Sequence, residues 1–363
     1  MPALDLIAPF WKTKTMDGES LLLVQAQPDH WPAGRLIFTP TRIISVRSAD
    51  GTRTFEPGRD YRWQAGTPTL HIPPTSHIPV LPEAKLYPPR GSQKYGTCRN
   101  RETDLLFGEG ADFHNLQIAV GYEHQLDGWQ MPATLTAVTS LPRLTERLAR
   151  RQALSMVLLG DSISVGENAS GLAHVQPLQP GYGQLVAEAI GAQFKADIRF
   201  KNLSLGGASS SWGVDQIPAV AREKPDLVLL AFGMNDASAQ VAPEQFAINI
   251  KRQMETLHAA CPEAEFILVA PMTGNPQWTG THDLFYPAYR DMLWQLRGDG
   301  IAVADVTTLW LQLLERKNYL DLTGNGLNHP NDFGHRLYAQ VVWSVLQRSL
   351  PQTPVATFQE QLP

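Results

Sequence analysis

The sequence predicts an α/β protein with a doubly wound parallel sheet, preceded by a smaller all-β region. Two observations lead to this fold class. In the later part of the 363-residue chain, nearly continuous apolar runs alternate with segments of helical periodicity, a pattern typical of parallel strands buried on both faces. The earlier part instead holds short β-rich runs among many prolines, which are disfavoured in helix interiors and central strands.

The amino-terminal region, residues 1–145, is predicted to be a β-sandwich or jelly roll. Of the 28 prolines, 15 precede residue 146, so strands joined by irregular loops are favoured over helices. Most of the β-rich runs recur about every ten residues, the spacing of such folds. The predicted strands are 21–24, 35–39, 42–47, 52–55, 70–72 and 116–122.

The carboxyl-terminal region, residues 146–350, is predicted to form the doubly wound sheet, and residues 351–363 a tail. Five apolar runs predict its strands, at 153–159, 198–203, 227–232, 266–270 and 301–304. Helical periodicity predicts helices at 182–190, 214–222, 243–260, 284–297 and 332–347. In such folds ligands bind beyond the carboxyl ends of the strands. Functional residues are therefore expected there.

Composition excludes several classes of protein. The 30 Lys and Arg against 35 Asp and Glu give a net charge of −5, and no basic run is present, which argues against a nucleic-acid partner. The longest apolar stretches are far shorter than the roughly 18 residues of a membrane span, so no membrane insertion is expected. Two widely spaced cysteines, Cys98 and Cys261, exclude a disulfide scaffold and a cysteine-rich zinc cluster.

The start of the chain lacks the apolar core of a signal peptide. The chain as given is therefore expected to be cytoplasmic. A chain trimmed of a leader would begin in the same way, so a secreted or periplasmic location is kept as an alternative. The sequence does not set an oligomeric state.

Polar groups follow the first three predicted strands. Ser162 comes directly after the first, Gly207 closes a glycine pair after the second, and Asn235 follows the third. Taken alone, each has an ordinary explanation as a helix cap or turn residue. His329 lies in the loop before the last helix, where a lone His-Pro pair is usually without function. Together, however, a hydroxyl, a backbone donor, an amide and an imidazole at one sheet edge suit nucleophilic catalysis.

Four sequence blocks resemble those of the SGNH (GDSL) hydrolases, over roughly residues 153–349. They are GDSI at 160–163, NLSLGG at 202–207, GMND at 233–236 and NHPNDFGH at 328–335. The resemblance implies the flavodoxin-like sheet of that family and a serine esterase that needs no metal or organic cofactor. Several two-domain carbohydrate esterases of the family place an all-β domain before the hydrolase domain, as this chain is predicted to do.

The resemblance also implies a role for each residue. Ser162 would be the nucleophile and His329 its base, with Ser164 as a rival nucleophile. The backbone N–H groups of Ser162 and Gly207 and the side-chain amide of Asn235 would form the oxyanion hole.

One position departs from the family pattern. The family carries Asp three residues before the histidine, but Gly326 stands there. We therefore expect a Ser162–His329 dyad in which a backbone carbonyl orients the imidazole, as some two-domain carbohydrate esterases do. Asp332 and Asp321 remain candidates for an orienting acid, although Asp332 is well placed to cap the last helix.

The predicted reaction is hydrolysis of a short-chain ester, an O-acetyl ester on a carbohydrate, through an acyl-Ser162 intermediate. Trp212 and Trp278 are candidates for stacking on sugar faces. A lysophospholipase or thioesterase would use the same residues but should have an apolar acyl groove, and the loop at 167–180 is polar. An alternative of another class is a glycan-binding protein with a vestigial hydrolase domain, although all four signature residues are present.

Overall fold

Two small sheets lie in the amino-terminal region. The structure, a computed structural model, describes residues 3–27, 29–126, 129, 132–136 and 140–349, so the predicted tail at 351–363 lies outside the described residues. One sheet has the strand order β3-β7-β1-β6 and the other β2-β5-β4. The strands are β1 (Thr15–Gln25), β2 (Ala33–Arg35), β3 (Pro40–Ser48), β4 (Arg62–Trp63), β5 (Thr69–His71), β6 (Val80–Pro82) and β7 (Gln117–His124).

Four of the six predicted runs fall in strands, namely in β1, β3, β5 and β7. The other two predictions are wrong, because run 35–39 contributes only Arg35 to a strand and run 52–55 only an isolated bridge from Thr54 to Arg47. The four-stranded sheet is mixed, since β1 pairs with β7 in antiparallel fashion and with β6 in parallel. The sandwich or jelly-roll arrangement stays a prediction.

Short helices flank these strands and lead to the carboxyl-terminal region. They are α1 (Ala3–Leu6), α2 (Glu83–Leu86), α3 (Ala133–Thr136) and α4 (Pro142–Ala149). Helix α4 starts with Pro142, whose fixed φ suits a first helical turn. It buries Leu144 and Leu148, four residues apart on one face.

A five-stranded, wholly parallel sheet forms the centre of the carboxyl-terminal region, in the order β12-β11-β10-β8-β9. Every residue of β8, β10 and β11 is buried, which explains their continuous apolar sequences. The predicted α/β fold with a parallel sheet is confirmed. The strands are β8 (Leu154–Gly160), β9 (Ile198–Asn202), β10 (Leu227–Ala231), β11 (Glu265–Ala270) and β12 (Ile301–Asp305).

Helices connect these strands, and the five predicted helices are all present. The full set is α5 (Ser162–Val165), α6 (Tyr182–Phe194), α7 (Ser210–Arg222), α8 (Met234–Ser238), α9 (Pro243–Ala260), α10 (Phe285–Leu296), α11 (Val306–Leu314) and α12 (Asp332–Ser349). Helix α11 was not predicted, because its apolar sequence continues directly from strand β12 without a turn signal. No helix within the described ranges combines the length and apolar character needed to cross a membrane.

The two regions share one apolar core and a set of buried polar contacts. Leu21 and Tyr122 from the first region belong to the same buried cluster as Val341 from α12. The ammonium of Lys317 lies 2.7 Å from the carboxylate of Glu19 in β1, and both side chains are fully buried. The amino-terminal region is therefore fixed against the segment that precedes α12, where the candidate histidine lies.

Candidate active site

Ser162 stands at the carboxyl end of the central strand β8, as the first residue of α5. Asp161 caps this short helix, because its carboxylate accepts a hydrogen bond from the N–H of Ile163 at 3.0 Å. The cap fixes the turn directly after the strand. The Ser162 hydroxyl is thereby presented at the edge of the sheet where ligands bind in this class of fold.

His329 lies against Ser162, with its Nε2 atom 2.9 Å from the serine Oγ. The loop that carries the histidine is organised by Asn325. The side-chain oxygen of Asn325 accepts hydrogen bonds from the N–H groups of Leu327, Asn328 and His329 at 2.9–3.1 Å. The Asn325 side chain thus satisfies backbone N–H groups that have no helix or strand partner in this loop. These bonds fix the loop and, with it, the position of the imidazole.

Asn168 holds the other ring nitrogen of His329. The Nδ1 atom lies 2.9 Å from Asn168 Oδ1, and the Asn168 amide group donates to the carbonyls of Gly110 and Gly324 at 3.3 and 3.1 Å. Because the amide donors are directed at carbonyls, the oxygen must face Nδ1, which therefore carries the proton. The Nε2 atom is left free to accept the Ser162 hydroxyl proton. The carboxylate of Glu109 lies 3.7 Å from Nδ1.

The predicted oxyanion donors lie at the start of α5, in the turn between β9 and α7, and in α8. Within the described ranges, the backbone N–H groups of Ser162 and Gly207 donate to no protein acceptor, and Gly207 is exposed at a φ of +77°. Asn235 is the second residue of helix α8, after β10, and its amide donates to the carbonyl of Ala208 at 2.9 Å. That bond orients the amide and leaves its second N–H available.

The sequence that carries these residues also matches a known protein family. Residues 158–337 match the GDSL-like lipase/acylhydrolase family. This part of the chain is a GDSL-like domain.

Individual proteins are also similar to this chain. The esterase TesA of Pseudomonas aeruginosa is 32% identical over 126 residues, which are 34% of this chain. The chain spans 57% of the length of that relative. A two-domain esterase active on acetylated mannans, crystallised with mannopentaose, is 23% identical with a TM-score of 0.48, covering 63% of this chain and 61% of that one. The lipase Lip_vut3 from a goat rumen metagenome is 15% identical with a TM-score of 0.44, covering 53% of this chain and 97% of that one.

Neither Asp332 nor Asp321, the two candidates kept for an orienting acid, is the partner of His329. Asp332 accepts a hydrogen bond from the N–H of Ser170 at 2.8 Å. Asp321 accepts from the N–H of Leu22 at 2.8 Å and lies 3.3 Å from the Lys317 ammonium. Neither carboxylate is hydrogen-bonded to His329, and Asp332 Oδ2 is buried without a hydrogen-bond partner among the described residues. The expected backbone carbonyl is not the partner of Nδ1 either, because the acceptor is the side-chain oxygen of Asn168.

The position of the family's aspartate cannot hold a side chain in this GDSL-like domain. Gly326 has a φ of +87°, which disfavours residues with a Cβ atom. An added Cβ would lie 2.4 Å from the carbonyl oxygen of Leu106 and 2.6 Å from the ring of Phe113. The amino-terminal region thus fills the space that an acid at position 326 would need.

Both serines that follow β8 are buried, and their hydrogen-bond partners decide between them, because only Ser162 contacts His329. Ser164 is buried, and its hydroxyl is hydrogen-bonded to the Tyr182 hydroxyl at 2.8 Å. It is therefore unavailable as a nucleophile. Burial also raises the pKa of Asp161 to about 7, since its carboxylate lies in the interior behind Ser162.

The two candidate sugar-stacking residues have structural contacts. Trp212 is half-buried in α7 and packs against the core. The Trp278 indole N–H donates to the carbonyl of Tyr95 at 2.6 Å, and the side chain packs on the small cluster that contains Cys98 and Leu327. Trp278 therefore helps to join the two regions, and stacking of either ring on a sugar stays a prediction. Among the described residues, no three His, Cys, Asp or Glu side chains converge as metal ligands.

Sequence patterns gave no indication of three residues around the histidine. Asn325 stands in a Gly-Asn-Gly turn, a signal that identifies a turn but not its partner. Asn168 and Glu109 are 161 and 220 residues away from His329 in the chain. Their contacts with the imidazole arise from the packing of loops, which no local spacing encodes.

Proposed function

We propose that this protein is a carboxylic ester hydrolase that forms an acyl-Ser162 intermediate. The observation that carries the proposal is the contact of 2.9 Å between Ser162 Oγ and His329 Nε2, in a ring whose Nδ1 proton is held by Asn168. A serine paired with an oriented base is the arrangement of an activated nucleophile. Unengaged backbone donors lie beside it, as an oxyanion hole requires.

The chemistry proceeds in two half-reactions. As Ser162 Oγ attacks the ester carbonyl, His329 Nε2 takes the hydroxyl proton, and the oxyanion is stabilised by the N–H groups of Ser162 and Gly207 and by the Asn235 amide. Collapse expels the alcohol, which receives the proton from the imidazolium. Water then attacks the acyl-enzyme with His329 as base, and the carboxylic acid leaves Ser162 free again.

The proposed substrate is a short-chain ester, an O-acetyl ester of a polar alcohol such as a carbohydrate. The loop at 167–180, which follows the Ser162 turn, carries polar side chains such as Asn168, Ser170 and Gln179. This composition favours a polar substrate over a long acyl chain. Beside Gly207, the hydroxyl groups of Ser209 and Ser211 lie 2.9 Å apart on an exposed turn and offer hydrogen bonds to a polar alcohol.

The test compares p-nitrophenyl acetate, butyrate and octanoate with acetylated polysaccharides, using the wild-type protein and Ser162→Ala. We expect hydrolysis that falls steeply beyond butyrate, acetate release from the polysaccharides, and complete loss in Ser162→Ala. A preference for octanoate would overturn the short-chain assignment and favour a lysophospholipase or thioesterase. Glycan binding without turnover of any ester would favour the vestigial alternative.

A further inference from the structure

We propose that Glu109, in the amino-terminal region, supplies the negative charge that the loop of His329 lacks. Glu109 would thus be a positioning residue that stabilises the imidazolium during acyl transfer. The inference rests on the proposed function, because it concerns the activation of Ser162 by His329.

The first argument is distance and charge. The Glu109 carboxylate lies 3.7 Å from His329 Nδ1, and the Glu109 side chain is 50% exposed against 11% for the histidine. Asn168, the direct partner of Nδ1, is neutral. It can fix the tautomer of the ring but cannot neutralise the positive charge that the ring gains when Ser162 loses its proton. Glu109 is placed to do so.

The second argument is that one segment, residues 106–113, both fills the space that an acid at position 326 would need and carries Glu109. Leu106 and Phe113 occupy the space into which a side chain at position 326 would project. The N–H of Gly108 donates to the carbonyl of Asn325 at 3.3 Å, which attaches the segment to the histidine loop. The carbonyl of Gly110 accepts the Asn168 amide at 3.3 Å. Glu109 therefore sits between two residues that are bonded to the support of His329.

The size of the effect follows from exposure. A fully removed triad acid commonly costs about 10⁴-fold when the histidine tautomer is lost with it. Here Asn168 retains the tautomer, and water partly screens a half-exposed carboxylate. At 3.7 Å, the attraction between this carboxylate and the imidazolium is stronger than between two charges in bulk water and weaker than between two charges near a protein surface. We therefore expect kcat to fall roughly tenfold when the charge of Glu109 is removed.

The test uses Glu109→Gln, which keeps the shape of the side chain and removes its charge. The matched control is Asp112→Asn, which neutralises an exposed carboxylate three residues along the same segment. For p-nitrophenyl acetate, we expect kcat of Glu109→Gln to fall roughly tenfold with KM within about twofold of wild type. Asp112→Asn should match wild type in both constants. In Glu109→Ala, added formate should restore part of kcat, whereas chloride at equal ionic strength should not.

A second readout separates this proposal from the proposed function. A fluorophosphonate reacts with an activated serine by forming an Oγ–P bond and expelling fluoride, while the base takes the hydroxyl proton. Its labelling rate at Ser162 reports activation whether or not the right ester has been found. If wild type is labelled but cleaves no ester, the proposed function fails and Glu109 is judged on labelling alone. A labelling rate and kcat of Glu109→Gln within twofold of wild type would overturn the role of Glu109, as would a wild-type Ser162 that does not react.

Discussion

Asn168 Oδ1 accepts the Nδ1 proton of His329 at 2.9 Å, and this bond sets which ring nitrogen faces Ser162. An amide thus stands where the family has a carboxylate. The amide oxygen can accept the Nδ1 proton because the N–H groups of the same amide donate to the carbonyls of Gly110 and Gly324, which fixes the orientation of the Asn168 side chain. Orientation and charge stabilisation, which one aspartate usually provides together, are separate in this site.

Removal of the Asn168 side chain tests its orienting role. Asn168 has a φ of +62°, so glycine accepts its backbone conformation without strain. We expect Asn168→Gly to lower kcat at least a hundredfold, since a wrong tautomer is the largest known effect of losing an orienting partner. The control is His174→Gly, an exposed residue of the same loop at a φ of +56°. Equal activity of the two variants would exclude the role of Asn168.

Asn235→Ala tests the side-chain donor of the oxyanion hole. Loss of one such donor commonly costs about 2.7–4 kcal/mol of transition-state stabilisation. We therefore expect kcat for p-nitrophenyl acetate to fall by a factor of roughly a hundred or more, with a small change in KM. Thermal unfolding of the variant checks that the fold is intact. A near-wild-type kcat would remove Asn235 from the site.

Reintroducing the family's acid should fail. Gly326→Asp and Gly326→Ala both place a Cβ atom against the backbone of Leu106 and force a left-handed backbone on a residue that resists it. We expect each to lower the free energy of unfolding by at least about 2–3 kcal/mol, measured by urea denaturation. Gly298→Ala is the control, because Gly298 is exposed and an added Cβ there meets nothing within 4 Å. Its change should stay within about 0.5 kcal/mol.

The buried pair of Lys317 and Glu19 gives a stability prediction. Lys317→Met leaves the buried carboxylates of Glu19 and Asp321 without their shared ammonium partner, and we expect a loss of about 3–5 kcal/mol in the free energy of unfolding. The double variant Glu19→Gln/Lys317→Met removes one of these two carboxylate charges and should recover part of the loss. If the double variant recovers nothing, the loss does not come from the uncompensated charge of Glu19.

His335 makes stability depend on pH. Burial lowers its pKa to about 4 from 6.5. Between pH 6.5 and 4, His335 is therefore protonated in the unfolded chain but stays neutral in the folded protein. The free energy of unfolding should therefore decrease as the pH falls from 6.5 to 4, by about 3 kcal/mol from this group. Asp161, whose pKa is raised to about 7, acts in the opposite direction over much of this range.

The difference between wild type and His335→Gln isolates the histidine, because Asp161 contributes to both proteins. Glutamine keeps a donor for the carbonyl of Glu167, which lies 3.1 Å from His335 Nε2. We expect the wild type to lose its advantage progressively between pH 6.5 and 4 in urea denaturation. Parallel pH profiles of the two proteins would show that His335 does not titrate on unfolding.

The parallel sheet could be predicted from sequence because a strand buried on both faces leaves a continuous apolar run. Strands β4 and β6 were not predicted, since they are only two and three residues long and β6 ends in a proline. The partner of His329 Nδ1 could not be predicted, neither the expected backbone carbonyl nor the alternatives Asp332 and Asp321. The two carboxylates lie near His329 in the chain but accept from the N–H groups of Ser170 and Leu22, and these contacts form only when the loops pack.

The packing around Gly326 limits how the two regions of this chain can evolve. Leu106 and Phe113 lie against that glycine, so the amino-terminal region is packed onto the loop of His329. With the proposed role of Glu109, this region would be part of the catalytic machinery. Exchange of this region for an unrelated domain by recombination would remove Glu109 and the carbonyl of Gly110 in the same event. The two regions are therefore expected to be inherited as one unit, and a related sequence with aspartate at the position of Gly326 should lack this packing.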